Sequence, residues 1–573
     1  MQKHRGEPQG REGPSKHALV YLPVFEPPRV TRRTFLTTAV GLALSRQTLA
    51  QSRNPATLYN GVVLPSPWPP NRVPPSGSVE YPPYLASPPP VVKIDVGRQL
   101  FVDDFLIEES SLHRSYHPAS YHPSSPVLTP EHEWETRDPH AINTKILPSQ
   151  SAMPFSDGAF FDPADGLFKL WYMAGYQQAT ALALSDDGVS WRRPNLPVVK
   201  GTNIVWPHRR DSSTVWLDLE APPRSRYKMA SFVFAANALR MSESSDGIQW
   251  RTVGDSGPCS DRSTFFRNPF RGVWCFSLRA DDERGVRRYR RYVESTAFPA
   301  RWNATDPVSW VAADTLDPAR PELQARSELY NLDAVAYESV MLGLFTIFRG
   351  ESRVREKPND ICVAFSRDGF HWDRSARQPF LTVSEQPGDW NWGNVQSAGG
   401  GCLVVGDRLY FYVSGRQGIP GTNLPGTCST GLAILRRDGF ASLTDQWPAG
   451  IPRRVLGDRT SVITRPLQFR GSHVFVNADA AGEIRVEVLD ADGRVVDGYS
   501  AADCVPVRGD STKHAVRWNR AATLGDLNRD TIRLRFSLSR ARLYSFWIAD
   551  SAAGHSRGYV AAGGPGYAKS YDG

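Results

Sequence analysis

The chain has 573 residues and a formal net charge of +8, with 40% hydrophobic, 11% aromatic and 22% charged residues. This length and composition indicate a folded globular protein of two or three domains and exclude a disordered or fibrous chain. Residues 1–50 hold eight basic and three acidic residues, so the rest of the chain carries only +3. A role in nucleic-acid binding therefore has no electrostatic support.

The N-terminal segment has the pattern of an export signal. Arg32 and Arg33 precede a short apolar run, and Thr48 to Ala50 form a suitable cleavage site. The run is too short to span a bilayer. The pattern predicts a twin-arginine signal peptide over residues 1–50, recognised by the twin-arginine translocase. The mature protein is then periplasmic or secreted, with no stable membrane span. The alternative is a chance pair of arginines before a buried helix.

Residues 51–92 are crowded with proline, as in PSPWPPNRVPP and SPPP. Such a composition favours extended polyproline conformation over core packing. We expect a linker here, and a folded domain that begins near Lys93.

One short motif, Ser-x-Asp-Gly-x-x-Trp, recurs at intervals of roughly 60 residues. It ends at Trp191, Trp250 and Trp372, and degenerate copies lie at 305–310 and 436–440. Glycine can adopt the left-handed backbone of a tight turn, Asp and Ser can cap nearby amides, and Trp can pack on a neighbouring repeat. We expect these turns on the outer part of a ring, in a structural role.

Each repeat also carries runs of apolar and aromatic residues typical of β-strands, such as FKLWYMAGY from Phe168 and MLGLFTIF from Met341. A unit of this length with about four strands is typical of a propeller blade. The sequence therefore predicts an all-β protein with a five-bladed β-propeller over residues 93–455.

The last third of the chain has a different pattern. Residues from His473 and from Thr531 alternate strictly between apolar and polar, as an antiparallel sheet with one wet face does. A β-sandwich is predicted over residues 456–551. The glycine-rich residues 552–573 are predicted to be a flexible tail.

Six cysteines occur without a C-x-x-C motif, so neither zinc binding nor redox chemistry is indicated. Cys259 and Cys275 flank a predicted hairpin and are the one candidate disulfide pair. No metal and no cofactor is predicted. A basic cluster from Arg284 to Arg291 fits a solvated strand face, with an anionic-ligand site as the alternative.

An export signal, five blades marked by the Ser-x-Asp-Gly-x-x-Trp turn and a C-terminal β-sandwich resemble the five-bladed propeller glycosidases of glycoside hydrolase families 32 and 43. Those enzymes carry a similar Ser-x-Asp-Leu-x-x-Trp turn. The resemblance implies a glycoside hydrolase in which one carboxylic acid protonates the leaving oxygen and a second carboxylate attacks the sugar or activates water. In this family the carboxylates lie near the starts of the innermost strands.

The resemblance directs attention to acids at those strand starts. Asp157 matches the base or nucleophile position of the family, and Asp333 is in register with it in blade four. Asp211 and Asp261 align with each other in blades two and three, as candidates for the third carboxylate. Asp138, in an Arg-Asp-Pro segment, is a reserve base. The invertase Trp-x-Asn-Asp-Pro-Asn segment and the Glu-Cys pair are missing from the sequence.

Glu338 is the candidate general acid, because it lies among apolar residues in NLDAVAYESVMLGLF. A carboxyl group in such surroundings has a raised pKa unless it is paired, and a raised pKa suits a proton donor. The alternative is a glutamate that faces solvent or an arginine.

The segment WNWGN places Trp390 and Trp392 near the presumed funnel, followed by Asn394 and Gln396. Indole rings can stack on sugar faces and amides can bind hydroxyls, so these four residues are candidates for substrate binding. Core packing is the alternative for the two tryptophans.

The sequence thus predicts an exported glycoside hydrolase that acts on oligo- or polysaccharide. A glycan-binding propeller without activity is the first alternative, and a glycoside phosphorylase is the second.

Overall fold

The computed structural model describes residues 56–72, 77–136, 149–281, 288–317, 319–323, 326–350, 355–448, 450 and 460–573. The predicted export signal and Asp138 lie outside these ranges. The described residues contain two one-turn α-helices, α1 Pro83–Ala86 and α2 Glu133–Thr136, and 3₁₀ turns at Pro223–Ser225, Pro321–Leu323 and Gly525–Arg529.

Five short strands precede the first blade: β1 Val92–Lys93, β2 Gln99–Leu100, β3 Ile107–Ser110, β4 His113–Tyr116 and β5 Ser120–Tyr121. The first three blades have four strands each. Blade one contains β6 Ala152–Asp162, β7 Leu167–Ala174, β8 Ala179–Ser185 and β9 Ile204–Trp206, and blade two contains β10 Ser213–Leu217, β11 Tyr227–Val233, β12 Ala238–Ser244 and β13 Arg251–Pro258. Blade three contains β14 Thr264–Asn268, β15 Val273–Asp281, β16 Arg288–Ser295 and β17 Val308–Ala312.

Blade four contains β18 Glu328–Glu338, β19 Val340–Phe348 and β20 Asn359–Ser366. Blade five contains β21 Asn394–Ser397, β22 Leu403–Val405, β23 Arg408–Arg416 and β24 Cys428–Arg436. The remaining strands are β25 Ala441–Thr444, β26 Ser461–Thr464, β27 Leu467–Gln468, β28 His473–Leu489, β29 Val507–Ala515, β30 Arg533–Ala549 and β31 Tyr559–Val560. The predicted five-bladed propeller is confirmed.

Blade five is completed by the N-terminal segment, since β5 pairs with β24 as the outer strand. A ring closed by a strand from the opposite end of its sequence leaves no open seam between the first and last blades. Strands such as β6 and β19 are buried along their whole length, which explains why the apolar residues of β19 form a continuous run and do not alternate with polar ones.

The repeated turn has the predicted chemistry. The hydroxyl of Ser185 accepts a bond of 2.8 Å from the amide of Gly188, whose φ is 75°. Oδ1 of Asp187 accepts bonds of 2.7 and 2.8 Å from the amides two and three residues on. Burial alone would raise the pKa of Asp187, but these donors lower it to about 2. The same bonds recur at Ser244 and Asp246, and at Ser366 and Asp368.

These turns lie between the third and outer strands of their blades, and each is held by the preceding blade. An aromatic donor from that blade reaches a carbonyl oxygen of the turn in all three copies: Tyr412 to Gly188 at 2.5 Å, Trp171 to Gly247 at 2.9 Å and Trp310 to Phe370 at 2.7 Å. The rings of Trp191 and Tyr412 also meet, 5.4 Å apart. The predicted structural role of the motif is therefore confirmed.

The C-terminal region forms one curled sheet of eight strands, which is sandwich-like, as predicted. Its main path is β29-β28-β30-β25-β4, and β2, β26 and β3 attach beside it. The strands β2, β3 and β4 come from before the propeller in the sequence, so this sheet is built from both ends of the chain. The boundaries expected at residues 93, 455 and 551 stay predictions.

The proline-rich segment, expected to be a linker, is packed in its described parts. Leu58, Trp68 and Tyr84 are buried, and the Tyr84 hydroxyl donates a bond of 3.2 Å to the carbonyl of His371. Apolar side chains between the prolines provide enough burial to fix the segment on the propeller, which composition alone did not indicate.

The predicted flexible tail also packs on the propeller. The innermost strands β6 and β18 end on the same face of the ring, which we call the base. There the amide of Phe161 donates to the carbonyl of Ala562 at 3.0 Å, and the amide of Ala561 donates to that of Ala336 at 3.2 Å. In blade five the amide of Val404 donates to Gly563 at 2.9 Å. The tail thus covers the base, because its small residues can approach strand ends closely.

All six cysteines are free, so the candidate disulfide between Cys259 and Cys275 is wrong in this structure. Within the described ranges, no helix is both long enough and apolar enough to cross a membrane.

Candidate functional site

The innermost strand of blade one is interrupted where it reaches the propeller axis. Phe155 and Ser156 have φ values of 44° and 72°, and the pairing of β6 with β7 shifts register between Met153 and Gly158. Two consecutive residues with left-handed backbone cost about 1–3 kcal/mol each, and such strain is concentrated at functional sites. The irregular segment leads directly into Asp157.

Asp157 is buried at the axis and forms an ion pair with Arg210 of blade two. Burial is the main cause that raises its pKa to about 6, and the charge of Arg210 opposes the shift. The same guanidinium donates a bond of 3.0 Å to the carbonyl of Asp211. Asp157 therefore positions the segment that carries the next candidate acid.

Asp333 of blade four lies in the same axial network. Its Oδ2 atom accepts bonds of 2.6 Å from Ser397 of blade five and 2.7 Å from Asn331, and Ser156 lies 3.5 Å away. Burial raises the pKa of Asp333 despite these donors. Asp333 thus contacts Ser156, the residue next to Asp157 in the chain, and the catalytic roles of both acids stay predictions.

Arg262 links blade three to two other blades across the axis. Its guanidinium donates to Ser156 at 2.9 Å and to Oε1 of Gln396, whose amide in turn donates to Asn394 at 2.7 Å. Asn394 and Gln396 therefore bind protein groups in this network, and their role in substrate binding stays a prediction. Sequence reasoning missed Arg262, although it directly follows Asp261.

The two tryptophans of the WNWGN segment do not join this network. The ring of Trp390 lies so close to Gly415 that a Cβ atom there would meet it at 2.0 Å, and Tyr121 contacts it edge-on at 5.5 Å. Trp392 is buried beneath the guanidinium of Arg355, 5.0 Å from the ring centroid. Both rings pack within blade five, so the core-packing alternative describes them.

Asp211 and Asp261 lie just before the innermost strands β10 and β14, at the face opposite the base, which we call the mouth. Asp211 is buried and accepts bonds of 2.8 Å from the amide of Ser212 and 2.9 Å from Gln177. Burial and then the charge of Asp261 raise the pKa of Asp211. Asp261 is about 37% exposed and pairs with Arg279.

Aromatic rings and arginines lie beside this carboxyl pair at the mouth. The guanidinium of Arg262 lies 4.1 Å from the ring centroid of Phe155, and that of Arg416 lies 5.2 Å from it. Arg416 also lies 5.3 Å from Tyr176 and donates a bond of 2.7 Å to Glu356. None of these residues was a sequence candidate, because their roles depend on contacts between blades.

Glu338 is not part of the mouth or the axial network. It ends β18, five residues beyond Asp333 and therefore about 16 Å further along the strand, at the base. Its Oε1 atom lies 3.0 Å from Arg437 and 3.5 Å from Arg98, and Oε2 accepts a bond of 2.7 Å from Ser556. The structure thus pairs Glu338 with two arginines at the base, away from the candidate acids of the mouth and the axis.

Among the described residues, no group of three or more His, Cys, Asp or Glu side chains could hold a metal ion. The carboxyl groups of Asp157 and Asp333 at the axis are bound by an arginine, a hydroxyl and an amide.

Comparison with known proteins assigns the chain to no family. No family model matches the chain, and no curated protein matches it significantly. Solved structures of glycoside hydrolases do match, at low similarity. A thermostable family-43 glycoside hydrolase is 12% identical with a TM-score of 0.36, and the alignment covers 52% of this chain and 97% of that one.

Two further matched structures have other activities in their names. An N-acetylgalactosamine deacetylase from F. plautii, in complex with blood group B trisaccharide, is 13% identical with a TM-score of 0.38, covering 58% of this chain and 97% of the other. A fructofuranosidase from Schwanniomyces occidentalis, complexed with fructosylnystose, is 12% identical with a TM-score of 0.34, covering 75% and 96%.

Proposed function

We propose that this protein is a glycoside hydrolase that acts on carbohydrate at the mouth of the propeller, with Asp211 as the proton donor and Asp261 as its ionised partner. One observation carries the proposal. Asp211 is buried with a raised pKa, while the adjacent Asp261 is partly exposed and paired with Arg279. Two carboxyl groups whose surroundings differ in this way are suited to the acid and base roles of glycoside cleavage.

Each role follows from the surroundings of the group. A protonated Asp211 can donate its proton to the leaving oxygen, and Asp261 can act on the anomeric carbon directly or through water. Asp157 supports this pair indirectly, because Arg210 joins its carboxylate to the main chain of Asp211.

Reducing-sugar release from a panel of plant and algal polysaccharides tests the proposal. We expect the wild-type protein to release sugar from at least one glycan, and the Asp211→Asn and Asp261→Asn variants to lose that activity. Asp255→Asn, which alters a half-exposed carboxylate paired with Arg240 in blade two, is the matched control and should stay active. Equal activity of Asp211→Asn and the control would exclude the proposed roles.

Non-catalytic glycan binding is a second candidate, favoured by the full engagement of Asp333 and Glu338 with protein groups. It predicts calorimetric binding of a glycan without turnover, unchanged in Asp211→Asn. A glycoside phosphorylase, the third candidate, would form product only with phosphate.

We further propose that the chain is exported through the twin-arginine pathway and acts in the periplasm or outside the cell. The support is the sequence pattern of residues 1–50, with Arg32 and Arg33 before an apolar run.

A further inference from the structure

The ring of Tyr330 at the mouth lies against two arginines of blade three. The guanidinium of Arg288 lies 4.8 Å from the Tyr330 ring centroid and that of Arg262 lies 5.4 Å from it. Burial would raise the pKa of the Tyr330 phenol, but Lys357, Arg416, Arg262 and Arg288 together lower it. Positive charge is therefore concentrated at this point of the mouth.

Protein carboxylates compensate only part of this charge. Glu356 pairs with Arg416 at 2.7 Å, and Asp281 lies 3.9 Å from Arg288. In the described part of the chain, neither Lys357 nor Arg262 forms an ion pair. Arg262 is buried and bound to two neutral groups, the Ser156 hydroxyl and the Gln396 amide oxygen. The charges of Asp333 and Asp211 act on Arg262 without touching it, and a buried arginine without a direct carboxylate partner among the described residues is costly.

Several buried donors in the same cluster also lack a hydrogen-bond partner among the described residues. They are Nε and Nη2 of Arg416 and Nε of Arg262, and both side chains are almost completely buried. Buried donors are nearly always satisfied, by protein, water or ligand. The planar guanidinium fork matches a carboxylate or a sulfate, whose oxygens can accept two parallel bonds.

We propose that the glycan recognised at the mouth carries an oxyanion group, the carboxylate of a uronic acid or a sulfate ester, which binds among Arg262, Arg288 and Lys357 beside Tyr330. The inference rests on the proposed function and names its substrate class. Arg262 connects the two sites, since the charge of Asp211 acts on it and its backbone follows Asp261. The charged group of one sugar unit would thus be held next to the carboxyl pair.

Binding to an array of matched glycans tests the inference. The array holds uronic acid oligosaccharides with their methyl esters, and sulfated oligosaccharides with their desulfated forms. We expect the wild-type protein to bind a charged member at least about 10-fold more tightly than its neutral partner, with affinity falling as salt rises. Lys357→Gln and Arg288→Gln should each weaken that binding about 10- to 100-fold and leave any binding of the neutral form unchanged.

Arg251→Gln is the matched control, since it removes an exposed cation from the outer strand of blade two. It should bind like the wild type, and thermal unfolding should show all three variants folded. Preference for the uronic acid or for the sulfated form identifies the oxyanion.

Equal affinity for charged and neutral forms, or variants that bind like the control, would overturn the inference. Cleavage of a neutral glycan in that case would leave the proposed hydrolase standing. No binding and no cleavage of any glycan would overturn both. If inorganic phosphate alone binds in a Lys357-dependent manner and sugar phosphate forms, the anion is a co-substrate and the inference is also wrong.

Discussion

Asp211 and Asp261 occupy corresponding positions in neighbouring blades, and the charge of Asp261 adds to burial in raising the pKa of Asp211. Like charges at short range resist joint ionisation, so one carboxyl group keeps its proton to higher pH. This coupling suits Asp211 to the role of proton donor in the proposed mechanism.

Asp261→Asn should lower the pKa of Asp211, because it removes the neighbouring negative charge. If Asp211 must be protonated to act, activity is lost as pH rises through its pKa. We therefore expect the basic limb of the pH profile of residual kcat/KM to move to lower pH by at least about half a unit. Asp255→Asn should leave the limb in place. A limb that stays fixed, or moves up, would contradict the coupling.

Glu338→Gln should destabilise the fold without affecting the chemistry. It removes the negative partner of Arg98 and Arg437 at the base, and breaking a buried pair in this way costs about 3–5 kcal/mol. Urea unfolding measures the loss. Glu243→Gln removes the partner of Arg251, whose side chain is exposed, so it is the control and should change little. Unchanged stability together with more than 100-fold lower turnover would restore Glu338 as the acid.

The prediction for Asp157 concerns stability against pH. Its pKa is about 6 in the folded protein and 3.8 ordinarily, so the folded state holds the proton more tightly. The stabilisation of the folded state by protonated Asp157 is complete below pH 3.8 and is lost as pH rises through about 6. Relative to Asp157→Asn, the free energy of unfolding of the wild type should fall by about 3 kcal/mol between pH 3.5 and 7. Asp186→Asn, on an exposed turn, should show no such trend. If the free energy of unfolding of the wild type, relative to Asp157→Asn, stays constant or rises over this pH range, the pKa of Asp157 is not raised.

The export proposal predicts that changing both Arg32 and Arg33 to lysine retains the protein in the cytoplasm, because the translocase recognises that pair. Cell fractionation followed by immunoblotting measures the distribution. Conversion of Arg29 to lysine, three residues before the pair, is the control and should not reduce export. Undiminished export of the double variant would show that the segment is not a twin-arginine signal.

Local features of the fold could be predicted from the sequence. The Ser185 turn depends on residues within six positions of one another, and its spacing indicated the number of blades. The alignment of Asp211 with Asp261 was also useful, because repeats place equivalent residues at equivalent points of a ring. Local chemistry and internal periodicity were therefore sufficient for these features.

The environment of Glu338 could not be predicted, because its partners are distant in the sequence. Arg437 is 99 residues away, Ser556 is 218 away and Arg98 is 240 away. Its apolar neighbours in the strand suggested an unpaired acid, whereas the fold supplies two arginines. The mouth cluster around Tyr330 was missed for the same reason, although the basic run ending at Arg291 already allowed an anionic-ligand site.

The role of Asp211 as proton donor is tested most directly by comparing Asp211→Asn with the wild type on two substrates, a natural glycan that the wild type cleaves and an activated aryl glycoside of the same sugar. We predict that turnover of the natural glycan falls by about 10²- to 10⁴-fold, while the aryl glycoside, whose leaving group needs no proton, is largely spared. Full activity on the natural glycan, or an equal loss on both substrates, would contradict the account.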